Sequence, residues 1–442
     1  MSTRKLSRRT ILKRAAGSFA AAVAGPMILP SSVFGAEGRT APNDRVRVAY
    51  IGVGRRSRQL MGLPEGAEIT AYADLYQKRL DEMKARNASA KIFPDYREML
   101  ASDAIDAVVI ATPDHWHTLP VIHACQAKKD VYIEKPMTLT VREGRAIVDA
   151  VKKHNVILQT GSQQRSGPAC QRGCKELLEG CIGKIHTVHG ANYPSPWDCD
   201  LGEETLPEGI NWDMWCGQTE PRAYHRDLFL PRAEGRTYPD GRPLGWISYR
   251  PYSGGEMTGW GAHGLDIVQW ALGTSETGPV EIWPEDTPAG PIIYFGKESQ
   301  PTPGMEPLIR PVTMKYASGV VLKLDGKGPG GGAVFEGEGG SAMVDRGKYQ
   351  LKRDGKTESI ADPPGEDDTK AHLKNWIDCI RSRQQPIAYA EIGHRSATMC
   401  HLGNIARWTG RKLTWDPAKE EFANDTEANA LLSRPMRAPW NI

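Results

Sequence analysis

From residue 46 onward the chain alternates between two hydrophobic periods. "VRVAYI" (46–51) is an unbroken apolar run rich in β-branched residues, which predicts a strand buried on both faces. Similar runs recur in "AEITAYAD" (67–74), "IDAVVIAT" (105–112), "KKDVYIEKP" (128–136) and "NVILQTGS" (155–162). Between the last two lies "VREGRAIVDAVKKH" (141–154), whose apolar positions follow helical spacing. Strands alternating with amphipathic helices predict an α/β fold with a doubly wound parallel sheet over 46–163. Further on, "PVTMKYASGVVLKLDG" and "GGAVFEGEGGSAMVDRGKYQLKRDG" alternate polar and apolar residues between Gly-rich turns, the pattern of antiparallel strands. "AHLKNWIDCIRS" and "HRSATMCHLGNIARWTG" are amphipathic helices, the second stopping at Gly410. Residues 416–442 read as an extended tail, free to wrap a neighbouring subunit.

In a doubly wound sheet, ligands sit beyond the carboxyl ends of the strands. The first strand ends in Gly52-Val-Gly54-Arg55-Arg56-Ser57, a dinucleotide-binding turn with serine in place of the third glycine. Gly52 permits the tight turn, and Gly54 lets a pyrophosphate approach the backbone at a helix N-terminus. Taken alone, the turn also fits a plain strand–turn–helix. The second strand ends on Asp74, placed to accept hydrogen bonds from the adenosine ribose and to repel a 2′-phosphate. That favours NAD over NADP, with Arg55 and Arg56 as groups able to loosen the preference. The third strand stops at Thr112-Pro113, leading into "TPDHWH", and the fourth ends on Glu134-Lys135-Pro136. "EKP" therefore falls where a nicotinamide would lie; a solvated strand end is the plainer alternative. His115 and His117 flank Trp116 without a carboxylate or cysteine at ligand spacing, so no metal site is expected.

Composition adds the location. The net charge of +3 hides six basic residues and no acid in 1–36, which leaves the remainder at −3 and gives no reason to expect nucleic acid as a partner. "SRRTILK" (7–13) has the form of a twin-arginine motif, followed by a short apolar stretch broken at Gly25-Pro26 and by small residues near Ala36. The expectation is a signal peptide over 1–36, an arm over 37–45, and a protein exported to the periplasm with no stable membrane span once the signal is removed. A basic disordered tail is the alternative. The eight cysteines show neither CxxC pairs nor zinc spacing, so most read as buried thiols, with a disulfide between distant partners left open.

At this point the chain resembles a family. "GVG", "TPDHWH", "EKP" and "GGEMTGWGAHGLD" (254–266), in this order, are similar to the Gfo/Idh/MocA superfamily, which includes glucose–fructose oxidoreductase and inositol dehydrogenase. The resemblance runs from about residue 45 to the C-terminus. It implies a Rossmann domain followed by an α+β domain (164–415) with a large open, mostly antiparallel sheet, often used for oligomerisation. A homo-oligomer, dimer or tetramer, is therefore expected. The resemblance also implies that Lys135 hydrogen-bonds the reacting hydroxyl, that His263 takes its proton as hydride leaves for the nicotinamide, that Asp266 supports, and that His117 packs near the cofactor. It implies cis geometry before Pro136. One position departs: the family has Asp four residues before His263, and here stands Gly259, with Glu256 nearby as a possible compensation. A core histidine remains the alternative for His263.

Aromatic residues crowd the same region. Trp212, Trp215, Tyr224, Trp246, Tyr249, Tyr252 and Trp260 surround Arg250 and the catalytic motif. As stacking planes for sugar rings they favour a carbohydrate or polyol; as core fillers they imply nothing. Tyr224, Tyr249, Arg250, Trp260 and His263 are the expected substrate contacts. Export of a nicotinamide enzyme calls for a tightly bound cofactor, because no free NAD pool exists outside. The readings are thus an NAD-dependent sugar or polyol oxidoreductase, a redox-neutral glycosidase, lyase or epimerase passing through a keto-sugar, or a non-catalytic sugar-binding protein.

Overall fold

A computed structural model describes residues 45–197, 201–229, 245–286, 309–363 and 368–442. The expected signal peptide and nearly all of the arm lie outside the described residues. Val46–Ile442 is a compact unit.

Six parallel strands build its first sheet: β1 (Val46–Ile51), β2 (Ala67–Ala73), β3 (Lys91–Phe93), β4 (Ala107–Ile110), β5 (Asp130–Ile133) and β6 (Leu158–Thr160), in the order β3-β2-β1-β4-β5-β6. This is the Rossmann order, with its switch point between β1 and β4. Strand alternation divides the apolar run of β1 between two layers. Val48 and Tyr50 pack with Leu373, Trp376 and Ile377 of the helix Asp368–Ser382, while Ala49 and Ile51 pack with Val121 and Ile147 of the helices on the other face. The helix Asp368–Ser382 therefore completes the Rossmann core from some three hundred residues further along the chain, as a sheet with two apolar faces requires. β3 was not among the expected strands; three residues carry too little period to be read.

The second sheet has ten strands: β7 (Ile185–Gly190), β8 (Glu281–Pro284), β9 (Val312–Lys315), β10 (Val321–Leu324), β11 (Ala333–Gly337), β12 (Gly340–Asp345), β13 (Lys348–Arg353), β14 (Lys356–Ala361), β15 (Leu413–Asp416) and β16 (Glu421–Phe422). Their order is β14-β13-β12-β11-β7-β10-β9-β8-β15-β16, and only β7–β10 is parallel. The helices Pro168–Leu178, Gly261–Ala271 and Ala390–Thr409 bury one face through Cys170, Cys174, Leu265, Val268, Leu402 and Ile405. Cys170 and Cys174 share a buried helix face, as their spacing predicts, and the seven cysteines among the described residues are free thiols.

The tail corrects its expectation. Residues 416–442 are not extended: they contain β16 and the helix Thr426–Ala430, and Trp440 returns to this chain's own Rossmann domain. Its indole meets Trp116 edge-on at 5.1 Å, and the Arg97 guanidinium lies 4.9 Å from its ring. Among the described residues no helix is long and apolar enough to cross a membrane.

Candidate active site

The carboxyl ends of β1, β2, β4 and β5 open into a cavity of about 350 Å³ that runs from Asp74 to Lys135. At its floor Gly52 has φ +77°, a conformation side chains avoid, and a Cβ there would meet Thr112 and the Ala111 carbonyl at 3.0–3.1 Å. Gly54 differs. Its φ is −71°, and the nearest atom to an added Cβ is an Arg79 nitrogen 3.9 Å away. The emptiness above Gly54 is what a pyrophosphate needs, and the helix Arg55–Gln59 begins there. Asp74 braces the turn: its Oδ2 accepts from the Val53 N–H at 2.8 Å and its Oδ1 from the Tyr76 N–H at 3.0 Å. Ser57 is fully buried, filling the close helix–strand contact as a small residue must.

Glu134 and Lys135 end β5 differently. Glu134 turns inward, where its Oε1 receives Arg56 Nε at 2.8 Å and Gln163 Nε2 at 2.9 Å. Burial pushes its carboxyl upward, but Arg56, Lys135 and these hydrogen bonds outweigh burial and hold it below the usual carboxylate range. Arg56 thus bridges the Gly-rich turn to β5, so it is committed to Glu134 rather than offered to a 2′-phosphate. Lys135 reaches the other domain, donating from Nζ to the Gly259 carbonyl at 3.0 Å. The Lys135–Pro136 peptide is cis. His117 faces the Pro136 carbonyl at 2.7 Å and the Thr112 carbonyl at 2.9 Å, tying the ends of β4 and β5 together.

His263 stands in the first turn of Gly261–Ala271 and is 6% exposed. Burial, then the charges of Lys135, Arg346 and Arg56, drive its pKa well below 6.5. A neutral imidazole at pH 7 is the form that accepts a proton. Asp266, one turn on, is held by Arg165 through three contacts of 2.8–3.0 Å and by Ser396 at 2.8 Å, which anchors the helix carrying His263. Trp260 is 38% exposed with its ring 5.6 Å from that of His263.

Residues 201–229 form a strap against the cleft, contributing Met214, Trp215 and Phe229 to its wall. It docks on the end of β2 through the Asn211 N–H to the Leu75 carbonyl and the Gln77 N–H to the Gly209 carbonyl, both 3.0 Å. His115 Nε2 and Trp116 Nε1 meet the Trp215 carbonyl at 2.7 and 3.0 Å, and Arg437 from the tail binds Gly217 and Asp213.

The sequence-derived cofactor residues converge: Gly52, Gly54, Arg55, Arg56, Asp74, Thr112, Pro113, His117, Glu134 and Lys135 all line the cavity, with Ser57 behind it. None of the five expected substrate contacts, Tyr224, Tyr249, Arg250, Trp260 and His263, lines this cavity. Tyr224 and Tyr249 are buried in a cluster with Trp197, Leu228 and Phe229, and Arg250 lies 4.3 Å over Trp408, so none of the three joins the cavity wall. Their pattern could not separate core from wall, because both demand the same residue types. Arg79, Trp215, Phe229 and Trp246 do line the cavity and were not expected there as a set. Arg79 carried a faint signal, five residues after Asp74. Among the described residues no group of three or more His, Cys, Asp or Glu is placed to hold a metal.

Two family models match, described as an oxidoreductase family NAD-binding Rossmann fold over residues 46–162 and an oxidoreductase family C-terminal alpha/beta domain over 182–442. The chain belongs to the Gfo/Idh/MocA oxidoreductase family. Within the family, it is 32% identical over 144 residues to scyllo-inositol 2-dehydrogenase (NAD(+)) of Bacillus subtilis, covering 32% of this chain and 42% of that protein. It is also 32% identical over 172 residues to a glycosyl hydrolase family 109 protein of Shewanella baltica, covering 34% and 37%. The chain spans about half, or less, of the curated relatives it matches first. Among solved structures it superposes on levoglucosan dehydrogenase in complex with NADH and levoglucosan, at TM-score 0.60 and 16% identity, covering 84% and 99% of the two chains. Aldose-aldose oxidoreductase from Caulobacter crescentus gives TM-score 0.59 at 17% identity, covering the same shares. NAD is the cofactor these family features call for, and the open Gly54 cradle fits it.

Proposed function

We propose that this protein is an NAD-dependent oxidoreductase of a sugar or polyol hydroxyl, working as a homo-oligomer after twin-arginine export with its dinucleotide held tightly. The observation that carries the reading is that Lys135 reaches the segment that bears His263: Lys135 Nζ lies 3.0 Å from the carbonyl of Gly259, four residues before His263, and its charge is among those that depress the histidine. The Lys135 ammonium polarises the substrate oxygen, and the neutral His263 imidazole takes the hydroxyl proton. Bound nicotinamide supplies the acceptor for the hydride leaving the same carbon. Gly54, Asp74 and the Arg56–Glu134 bridge hold and orient the dinucleotide, while the strap and Trp440 tail keep it from solvent. Inositol and levoglucosan dehydrogenases among the relatives support a polyhydroxylated substrate. The twin-arginine motif supports export, and the alternation of buried and partly exposed residues along β12 and β13 supports self-association through the second face of their sheet.

The test begins with protein purified without added cofactor. Denaturation should release stoichiometric NAD(H), and adding sugars and polyols to intact protein should generate bound NADH. Lys135→Met and His263→Asn should keep the fold and the nucleotide and lose turnover by roughly 100- to 10,000-fold. Absence of bound nucleotide together with no binding of added NAD would overturn the reading. Cleavage of a glycoside with no net NADH would redirect it to a redox-neutral cycle. Sugar binding untouched by either substitution would favour a non-catalytic binder.

A further inference from the structure

Four consecutive residues of one short turn each hold a different element. The turn Gln163–Ser166 follows β6, and its lead-in is fixed to the end of β5, where the Gly161 N–H donates to the Ile133 carbonyl at 2.7 Å. Gln163 Nε2 donates to Tyr132 Oη at 2.8 Å and to Glu134 Oε1 at 2.9 Å. Gln164 Nε2 donates to the His263 carbonyl. Arg165 pairs with Asp266, both side chains almost wholly buried, and Ser166 Oγ lies 2.8 Å from His372 Nδ1. A turn built on the Rossmann sheet thus grips the helix Gly261–Ala271 at residues 263 and 266, while its first residue grips the acid beside Lys135.

Gln164 is fully buried. The His263 carbonyl can only accept, so the amide must present its NH₂ group there. The Gln164 Oε1 has no hydrogen-bond partner among the described residues. A carbonyl in the first turn of a helix already serves the N–H four residues on, so the Gln164 bond is an added attachment and not part of the helix ladder. An apolar side chain of the same shape would remove this donor and the unpaired oxygen together, so stability gives little reason for an amide here. Lys135 also holds this segment, through Nζ to the Gly259 carbonyl at 3.0 Å. The proposed reaction asks Lys135 to share its ammonium with the substrate oxygen. Gln164 has no competing task.

We propose that Gln164 is a positioning residue of the active site, holding the His263 backbone from the Rossmann side so that the imidazole keeps its place while Lys135 serves the reacting hydroxyl. This rests on Lys135 and His263 carrying the proposed reaction. Gln164 acts through His263 and requires no contact with substrate. Arg165 and Asp266 fix the same helix one turn further on, where the hold on residue 263 itself is weaker.

Histidine labelled with ¹³C at Cε1 reports on His263 without reference to turnover, and His263→Asn identifies its resonance. In NAD-loaded Gln164→Met, a change close to isosteric, that resonance should broaden or split as the imidazole samples more than one position. The melting temperature should stay at or above that of wild type. The kcat should fall roughly 10- to 100-fold, as for a catalytic group displaced by about 1 Å, with KM and NAD affinity within about twofold of wild type. Gln164→Asn keeps the amide one methylene short and should show the same signature. A folded Gln164→Met protein with a single sharp His263 resonance, or with wild-type kcat, overturns the proposal. If that variant does not fold, Gln164→Asn decides by the same two readings. A wild-type protein that oxidises no sugar or polyol would sink the proposed activity, while the His263 resonance would still rule on Gln164.

Discussion

Gly54→Ala separates a residue kept for its ligand from one kept for the fold. Residue 54 has φ −71° and ψ −165°, which alanine adopts, and an added methyl would find only the tip of Arg79 at 3.9 Å. Removing a glycine at such a site restricts the unfolded chain and stabilises the protein by about 0.4–1 kcal/mol. The same methyl projects into the space reserved for a pyrophosphate. Displacing one charge-assisted hydrogen bond from a backbone N–H forfeits about 1.5–3 kcal/mol, or roughly 10- to 100-fold in NAD affinity. Gly52→Ala is the contrast. Its φ of +77° imposes about 1–2 kcal/mol of strain, and its Cβ presses on Thr112 and the Ala111 carbonyl at 3.0–3.1 Å. Thermal melts of nucleotide-free protein should show Gly54→Ala at or slightly above wild type and Gly52→Ala several degrees below. Calorimetric titration with NAD should show weakened binding in both. Gly54→Ala binding NAD as tightly as wild type would refute the placement of the pyrophosphate over this turn.

Three further outcomes follow from burial and charge. Arg56→Ala leaves Glu134 buried beside Lys135 alone, so its carboxyl should rise; the loss of stability should be about 1–3 kcal/mol, reduced because Arg56 is 34% exposed. Since Glu134 titrates below its ordinary 4.5 in the fold, the gap between wild type and variant should be full above that pH and close as pH falls through the folded value; a gap constant down to pH 3 in urea melts would contradict the pairing. Burial lowers His115 to about 3 and His372 and His401 to about 4, against 6.5 when unfolded. The unfolded chain therefore binds the extra protons, so stability is complete above 6.5 and each histidine subtracts about 1 kcal/mol per pH unit below it; urea midpoints unchanged between pH 7 and pH 5 would count against this. Arg437→Ala removes the tail's contacts with Gly217 and Asp213, and stopped-flow displacement should show NAD leaving about tenfold faster, with an unchanged rate arguing that the tail does not hold the strap.

What the sequence determined by itself is the Rossmann half and its strand-end residues. Apolar period, turn glycines and the spacing from Gly54 to Asp74 are local properties, and a parallel sheet gathers its strand ends on one edge whatever packs outside. Gly52, Asp74, Thr112, Glu134 and Lys135 were legible for that reason. The structure alone decided which partner each residue took. Arg56 pairs with Glu134 across 78 residues of sequence, Lys135 reaches Gly259 across 124, and Trp440 closes on Trp116 from the far end of the chain. No period encodes such contacts. The aromatics show the limit most plainly: Tyr249 is fully buried and Trp260 is 38% exposed, eleven residues apart in one motif. Both are large, flat and amphipathic, and only the tertiary fold determines which one becomes core and which one is left exposed.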